Sequence, residues 1–141
     1  MTSLQRFVAQ QAAALLVASM VVGALAAFAM TAAITANAKM LLAAHVTGVI
    51  ATVLLIAFAW TLPMLSFGDT GRTRLAWIFL VSSWANVIVG TGKAFFDVHG
   101  VGLTGDTAND VVYGLLNVFV VLPTFAASIG WFLGLRVKAT S

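Results

Sequence analysis

Residues Met40–Phe67 read MLLAAHVTGVIATVLLIAFAWTLPMLSF, 28 residues without an acid, a lysine or an arginine and with a single histidine, His45, near the start. As a helix rising ~1.5 Å per residue, this run exceeds the ~30 Å hydrocarbon core of a bilayer. It is therefore expected to be a membrane span that carries His45 below the headgroups. An imidazole in hydrocarbon is costly unless it is paired or ligates something, which makes it a functional candidate by default.

The rest of the chain has the same character. Hydrophobic residues make up 62% of it, charged residues 8%, and the mean hydropathy is +1.07, values that describe an integral membrane protein with no room for a soluble domain. The expected architecture is all-α, a single membrane domain over 1–141 built as a four-transmembrane-helix bundle with spans at about 8–34, 40–67, 75–96 and 111–135. The first span is too long for an ordinary signal h-region, so a retained helix is expected although Ala36-Asn37-Ala38 mimics a cleavage site. Within it Ser19, Gly23, Ala27 and Thr31 recur every fourth residue, a small-residue stripe of the kind that lets membrane helices approach closely.

The charges report topology. A net charge of +3 and a pI near 10 come from seven basic residues against four aspartates, placed at the ends of apolar runs rather than in a nucleic-acid-binding patch. Arg6, Arg72, Arg74, Arg136 and Lys138 flank one surface, and Lys39 and Lys93 the other. This bias predicts cytoplasmic termini. The link from Asp97 to Asp110, with His99 and three of the four aspartates, would face outward, and His45 would lie ~7 Å below that surface. The absence of cysteine excludes a disulfide framework and thiolate ligation.

With direction fixed, depth can be compared between spans. His45 on the second, Asn86 on the third, and Tyr113 and Asn117 on the fourth all fall in one leaflet. Ser82, Asn86 and Gly90 share a helical face, as do Asn109, Tyr113 and Asn117, and Gly48 and Thr52 share the face of His45. Unpaired polar groups in hydrocarbon cost several kcal/mol each by order of magnitude. They are expected to meet one another or a ligand. Asn86, Tyr113 and Asn117 are the candidate catalytic groups, and His45, Gly48, Thr52 and Gly90 the candidate cofactor-binding ones.

Zinc needs three or four N, S or O ligands, which one intramembrane His in a chain without Cys or Glu does not supply. Haem needs less, since one neutral imidazole holds the iron and leaves the opposite axial position open. His45 is thus the candidate metal ligand and haem the candidate cofactor.

Ala44-His45 on the second span, Pro63-x-x-x-Phe67-x-Asp69 at its exit, Trp84-x-Asn86 on the third, and Gly102-Leu103-Thr104 leading to Pro123 share a joint spacing with a known family. The chain resembles styrene oxide isomerase, a small four-helix bacterial membrane protein. The resemblance implies a homotrimer in the bacterial inner membrane with haem b between subunits on the residue matching His45. It also implies ferric iron acting as a Lewis acid that opens a small apolar epoxide to a carbonyl compound by a 1,2-hydride shift. Two positions depart from the family pattern: Ala51 stands where the family has an asparagine, and Gly90 where it has a tyrosine. The resemblance therefore carries over at His45 and Asn86, with Tyr113 and Asn117 as possible replacements from the fourth span. Two other classes stay open, a non-catalytic protein that senses or carries haem or a gas, and a structural subunit in which His45 only bonds across helices.

Overall fold

The computed structural model describes residues 1–136, so Lys138 and most of the basic tail lie outside the described residues. The elements are α1 (Ser3–Met30), α2 (Ala38–Thr61) with a 3-10 turn at Leu62–Met64, α3 (Asp69–Phe95), and a fourth span made of α4 (Thr107–Leu116), a π-helical turn at Asn117–Val121, and α5 (Leu122–Leu135). All four spans are long and apolar enough to cross a membrane, and no strand occurs among the described residues. The chain is a multi-pass, all-helical membrane protein.

Several helix ends differ from those expected from hydropathy, and capping explains them. α1 begins at Ser3, not at residue 8, because Thr2 and Gln5 form a reciprocal capping box: the Gln5 N–H donates to Thr2 Oγ1 at 3.2 Å and the Thr2 N–H to Gln5 Oε1 at 2.7 Å. It stops at Met30, four residues before the expected end, and Ala32 takes a left-handed φ of 56° in the turn that follows. Asn37 caps α2 by accepting from the Met40 N–H, and its own amide donates to Asp97 Oδ1 at 2.7 Å, tying the first link to the third. α3 starts at Asp69, six residues before the expected Leu75, with an acidic residue in its positive first turn. Arg72 then lies on α3 and donates to the Leu65 carbonyl at 2.6 Å, satisfying an acceptor freed where the second span ends. Asp106 caps α4 through the Asn109 N–H, which moves the fourth span's start from residue 111 to Thr107.

The π turn has a cause in sequence. Pro123 has no N–H to donate to the carbonyl four residues back. Around it the ladder shifts, so that the Leu122 N–H donates to the Asn117 carbonyl, five residues earlier.

α1 packs along α2, α2 along α3, and α3 along the fourth span, with α1 also touching α3. The core centres on Leu15, Leu41, Leu55, Phe58 and Phe79. Apolar residues such as Val53, Ile56, Ile88, Phe125 and Phe132 point outward, as lipid-facing side chains do. The fourth span buries only Ala127 and Gly134. It is fastened at its C-terminal end, where Trp131 stacks edge-on to Phe58 at 5.6 Å and donates from Nε1 to Thr61 Oγ1 at 2.9 Å. The Ser66 N–H also donates to the Gly134 carbonyl at 2.7 Å. Gln5 reaches the Ala59 carbonyl at 3.1 Å, so the start of α1 and the end of α5 share one end of the bundle.

Candidate functional site

His45 is half-buried and turned toward α1. Its Nδ1 lies 2.7 Å from the carbonyl oxygen of Ser19. A carbonyl only accepts, so this nitrogen is the donor. In the neutral ring the proton then sits on Nδ1, and Nε2 keeps its lone pair. The ring is seated against Gly23, where an added Cβ would stand 2.8 Å from Nδ1 and 3.0 Å from Cε1. The Ser19 hydroxyl takes no part, because it donates to the Leu15 carbonyl of its own helix at 2.7 Å.

Gly48 and Thr52, expected beside the cofactor, serve the packing of α1, α2 and α3. A Cβ at Gly48 would run into Ser19 Oγ and, at 2.8 Å, Val87 Cγ2. Thr52 is buried, and its hydroxyl donates to the Gly48 carbonyl at 3.0 Å. Both positions are filled by protein atoms, so neither lines an open space.

Asn86 lies elsewhere. Between α2, α3 and the fourth span runs a cleft with two adjoining openings of about 190 and 100 Å³. Thr47 and Asn86 border both. The larger is lined by Ala51, Ser82, Ser83 and Thr124 together with apolar side chains, the smaller by Ala44, Gly90, Lys93 and Leu116 among others. The hydroxyls of Thr47, Ser82 and Ser83 donate to carbonyls of their own helices. The Asn86 carboxamide engages no partner among the described residues, leaving a two-donor, one-carbonyl group free at the cleft wall. The shared face of Ser82, Asn86 and Gly90 expected from spacing is therefore real, and it is the α3 wall of this cleft. His45 borders neither opening.

The two fourth-span candidates do not join Asn86. The Asn117 amide donates to the Tyr113 carbonyl at 2.8 Å, a bond within its own span beside the π turn, and Tyr113 is half-buried outside the cleft lining. Leu116 and Thr124 reach the cleft instead. Asn109 belongs to the third link, where it accepts from the Gly100 N–H and donates to the Gly102 carbonyl at 2.6 Å. His99 is exposed there, its carbonyl facing Lys93 Nζ at 3.4 Å. Sequence reasoning missed Thr47 and Thr124. Thr47 lies four residues before Ala51, a spacing that put it on the cleft face.

No group of three or more His, Cys, Asp or Glu gathers among the described residues, so the donor set offers no polydentate metal site. It offers one oriented imidazole and one uncommitted carboxamide. Fold and site together define a small multi-pass helical membrane protein whose polar chemistry within the spans is concentrated at a seated histidine and one intramembrane cleft. The styrene oxide isomerase family model matches residues 4–135, nearly the whole chain, and the chain belongs to that family. Compared with curated proteins, the chain has no match. Ala51 and Gly90 both border the cleft with Asn86.

Proposed function

We propose that this protein is a haem b-dependent membrane isomerase that converts small apolar epoxides to aldehydes or ketones. Family membership supports the isomerase class. The observation that carries the cofactor is the division of the His45 ring: Nδ1 is committed to the Ser19 carbonyl, a bond that a purely structural role also explains, while Nε2 engages no partner among the described residues and is left for a ligand. With haem bound, the Nδ1 contact would fix the tautomer and ring plane of the imidazole and leave Nε2 to the iron. A single axial histidine in apolar surroundings fits haem and no metal that needs several protein ligands.

Bound ferric haem supplies a Lewis acid for the epoxide oxygen. This chain's residues do the rest. Asn86 donates from its amide to the substrate oxygen and orients it, a positioning effect of the kind that sets large rate factors. Ile50, Leu54 and Phe79, which line the larger opening, keep water from the opened epoxide. Carbon–oxygen cleavage is then followed by hydride migration within the substrate, with no net redox change and no hydrolysis. Because His45 faces α1 and Asn86 faces the cleft, one protomer does not unite them. A homotrimer in the bacterial inner membrane, with cytoplasmic termini, is the proposed assembly in which neighbouring protomers do.

The test is an absorption spectrum of protein purified from haem-sufficient cells, followed by incubation with aryl and alkyl epoxides. A Soret band, lost in His45→Ala, and carbonyl product from the ferric protein are expected. A Soret band without turnover would overturn the isomerase reading, and no band after haem supplementation would overturn the cofactor.

A further inference from the structure

The small-residue stripe of α1 is usually read as a packing surface, and the proposed reaction uses only the Ser19 carbonyl of it. Two of its members meet the imidazole. Ser19 presents its main-chain carbonyl at 2.7 Å from Nδ1, and Gly23, one turn on, leaves the ring space that a single methyl group would occupy. The ring therefore packs against bare backbone. Gly48 adds a third constraint, because the absence of its side chain lets Ser19 sit close against α2 and brings that carbonyl within reach. Three close approaches converge on one bond between helices that are 26 residues apart at the bonded pair. Helix packing alone requires small residues but no particular tautomer.

We infer that Gly23 and the Ser19 carbonyl are positioning elements that hold His45 in its Nδ1–H tautomer with Nε2 presented as a ligand. The inference rests on the cofactor reading for its purpose, though the tautomer itself is a property of the chain alone. The Ser19 carbonyl retains a second lone pair besides the one used in its helix, so the bond costs the helix ladder nothing. Because the acceptor is main chain, Ser19→Ala, which adds no bulk, leaves it in place. A group that displaces the ring removes the bond, and a Cβ at residue 23 is that group.

Nitrogen-15 NMR of the haem-free protein in bilayers, with labelled histidine, reads the tautomer directly. The wild type is expected to show a protonated Nδ1 and an unprotonated Nε2 for His45, assigned by its loss in His45→Ala. Ser19→Ala, which keeps the carbonyl, is expected to leave this pattern in place, whereas Gly23→Ala is expected to replace it with a mixture of tautomers. In haem-loaded protein, Gly23→Ala is expected to raise the reduction potential and shift the Soret maximum, since loss of the N–H···O bond makes the imidazole a weaker donor. A wild-type spectrum with the proton on Nε2 would overturn the inference even if Gly23→Ala failed to fold. So would a Gly23→Ala protein with an unchanged nitrogen spectrum and potential, the result a purely packing role predicts. Absence of haem binding with the expected tautomer would instead remove the cofactor reading and leave the seat standing.

Discussion

Two polar groups within the spans, His45 and Asn86, are held in opposite ways. His45 is pressed between α1 and α2, its proton assigned by a main-chain acceptor and its ring confined by a glycine. Asn86 stands at the wall of a cleft, with its carboxamide uncommitted and small side chains around it. Packing explains the contrast. α1, α2 and α3 interlock through small residues, whereas the fourth span is fastened at one end by Trp131 and stands off α2 further along. A rigid seat suits a group that must point one way, and an open wall suits a group that must adapt to a small molecule.

The contrast breaks most completely at the seat. His45→Ala is expected to abolish both the Soret band and turnover, while Asn86→Ala keeps the band and lowers turnover by about 10²–10³-fold, the usual effect of removing one donor to a developing oxyanion. Absorption and product formation measured on the same samples separate the two. Next is the fastening of the fourth span: Trp131→Ala removes an aromatic contact with Phe58 and Phe79 and the bond to Thr61. A loss of about 3 kcal/mol is expected, read as a lowered melting temperature in detergent. Ala51→Leu narrows the cleft and is expected to shift preference toward smaller epoxides by about tenfold in kcat/KM ratio, with the haem spectrum unchanged. The smallest effect lies outside the site. Asp110 accepts from the Thr104 and Gly105 N–H groups at 2.8 and 3.1 Å, so Asp110→Ala is expected to speed proteolysis of the third link without altering turnover.

Hydropathy made the four spans legible, because length and apolar composition are properties of whole segments. The ends were not, since Thr2, Gly68 and Asp106 start helices through capping and turn geometry in stretches that read as polar links. His45 was visible as the one imidazole in an apolar run, but its partner is a backbone carbonyl, which leaves no mark in a sequence. Helical spacing placed Ser82, Asn86 and Gly90 on one face correctly. The same arithmetic applied to depth suggested that Tyr113 and Asn117 would join them, yet equal depth does not imply the same azimuth, and Asn117 closes on its own span.

The π turn at Asn117–Val121 gives the fourth span one residue more than an α-helix of the same rise would hold. Each residue advances an α-helix by about 100°, so the segment carrying Asn109 and Tyr113 is rotated by about that angle relative to the one carrying Trp131. Deleting a single residue there would return the segment to α-helical phase, with the gap at Pro123 remaining, and with Trp131 anchored it is the N-terminal turns of the fourth span that would swing. The third link, pinned through Asn109 and Asp110, would have to be rebuilt, which makes these five residues the gear between the anchored end of the fourth span and that link.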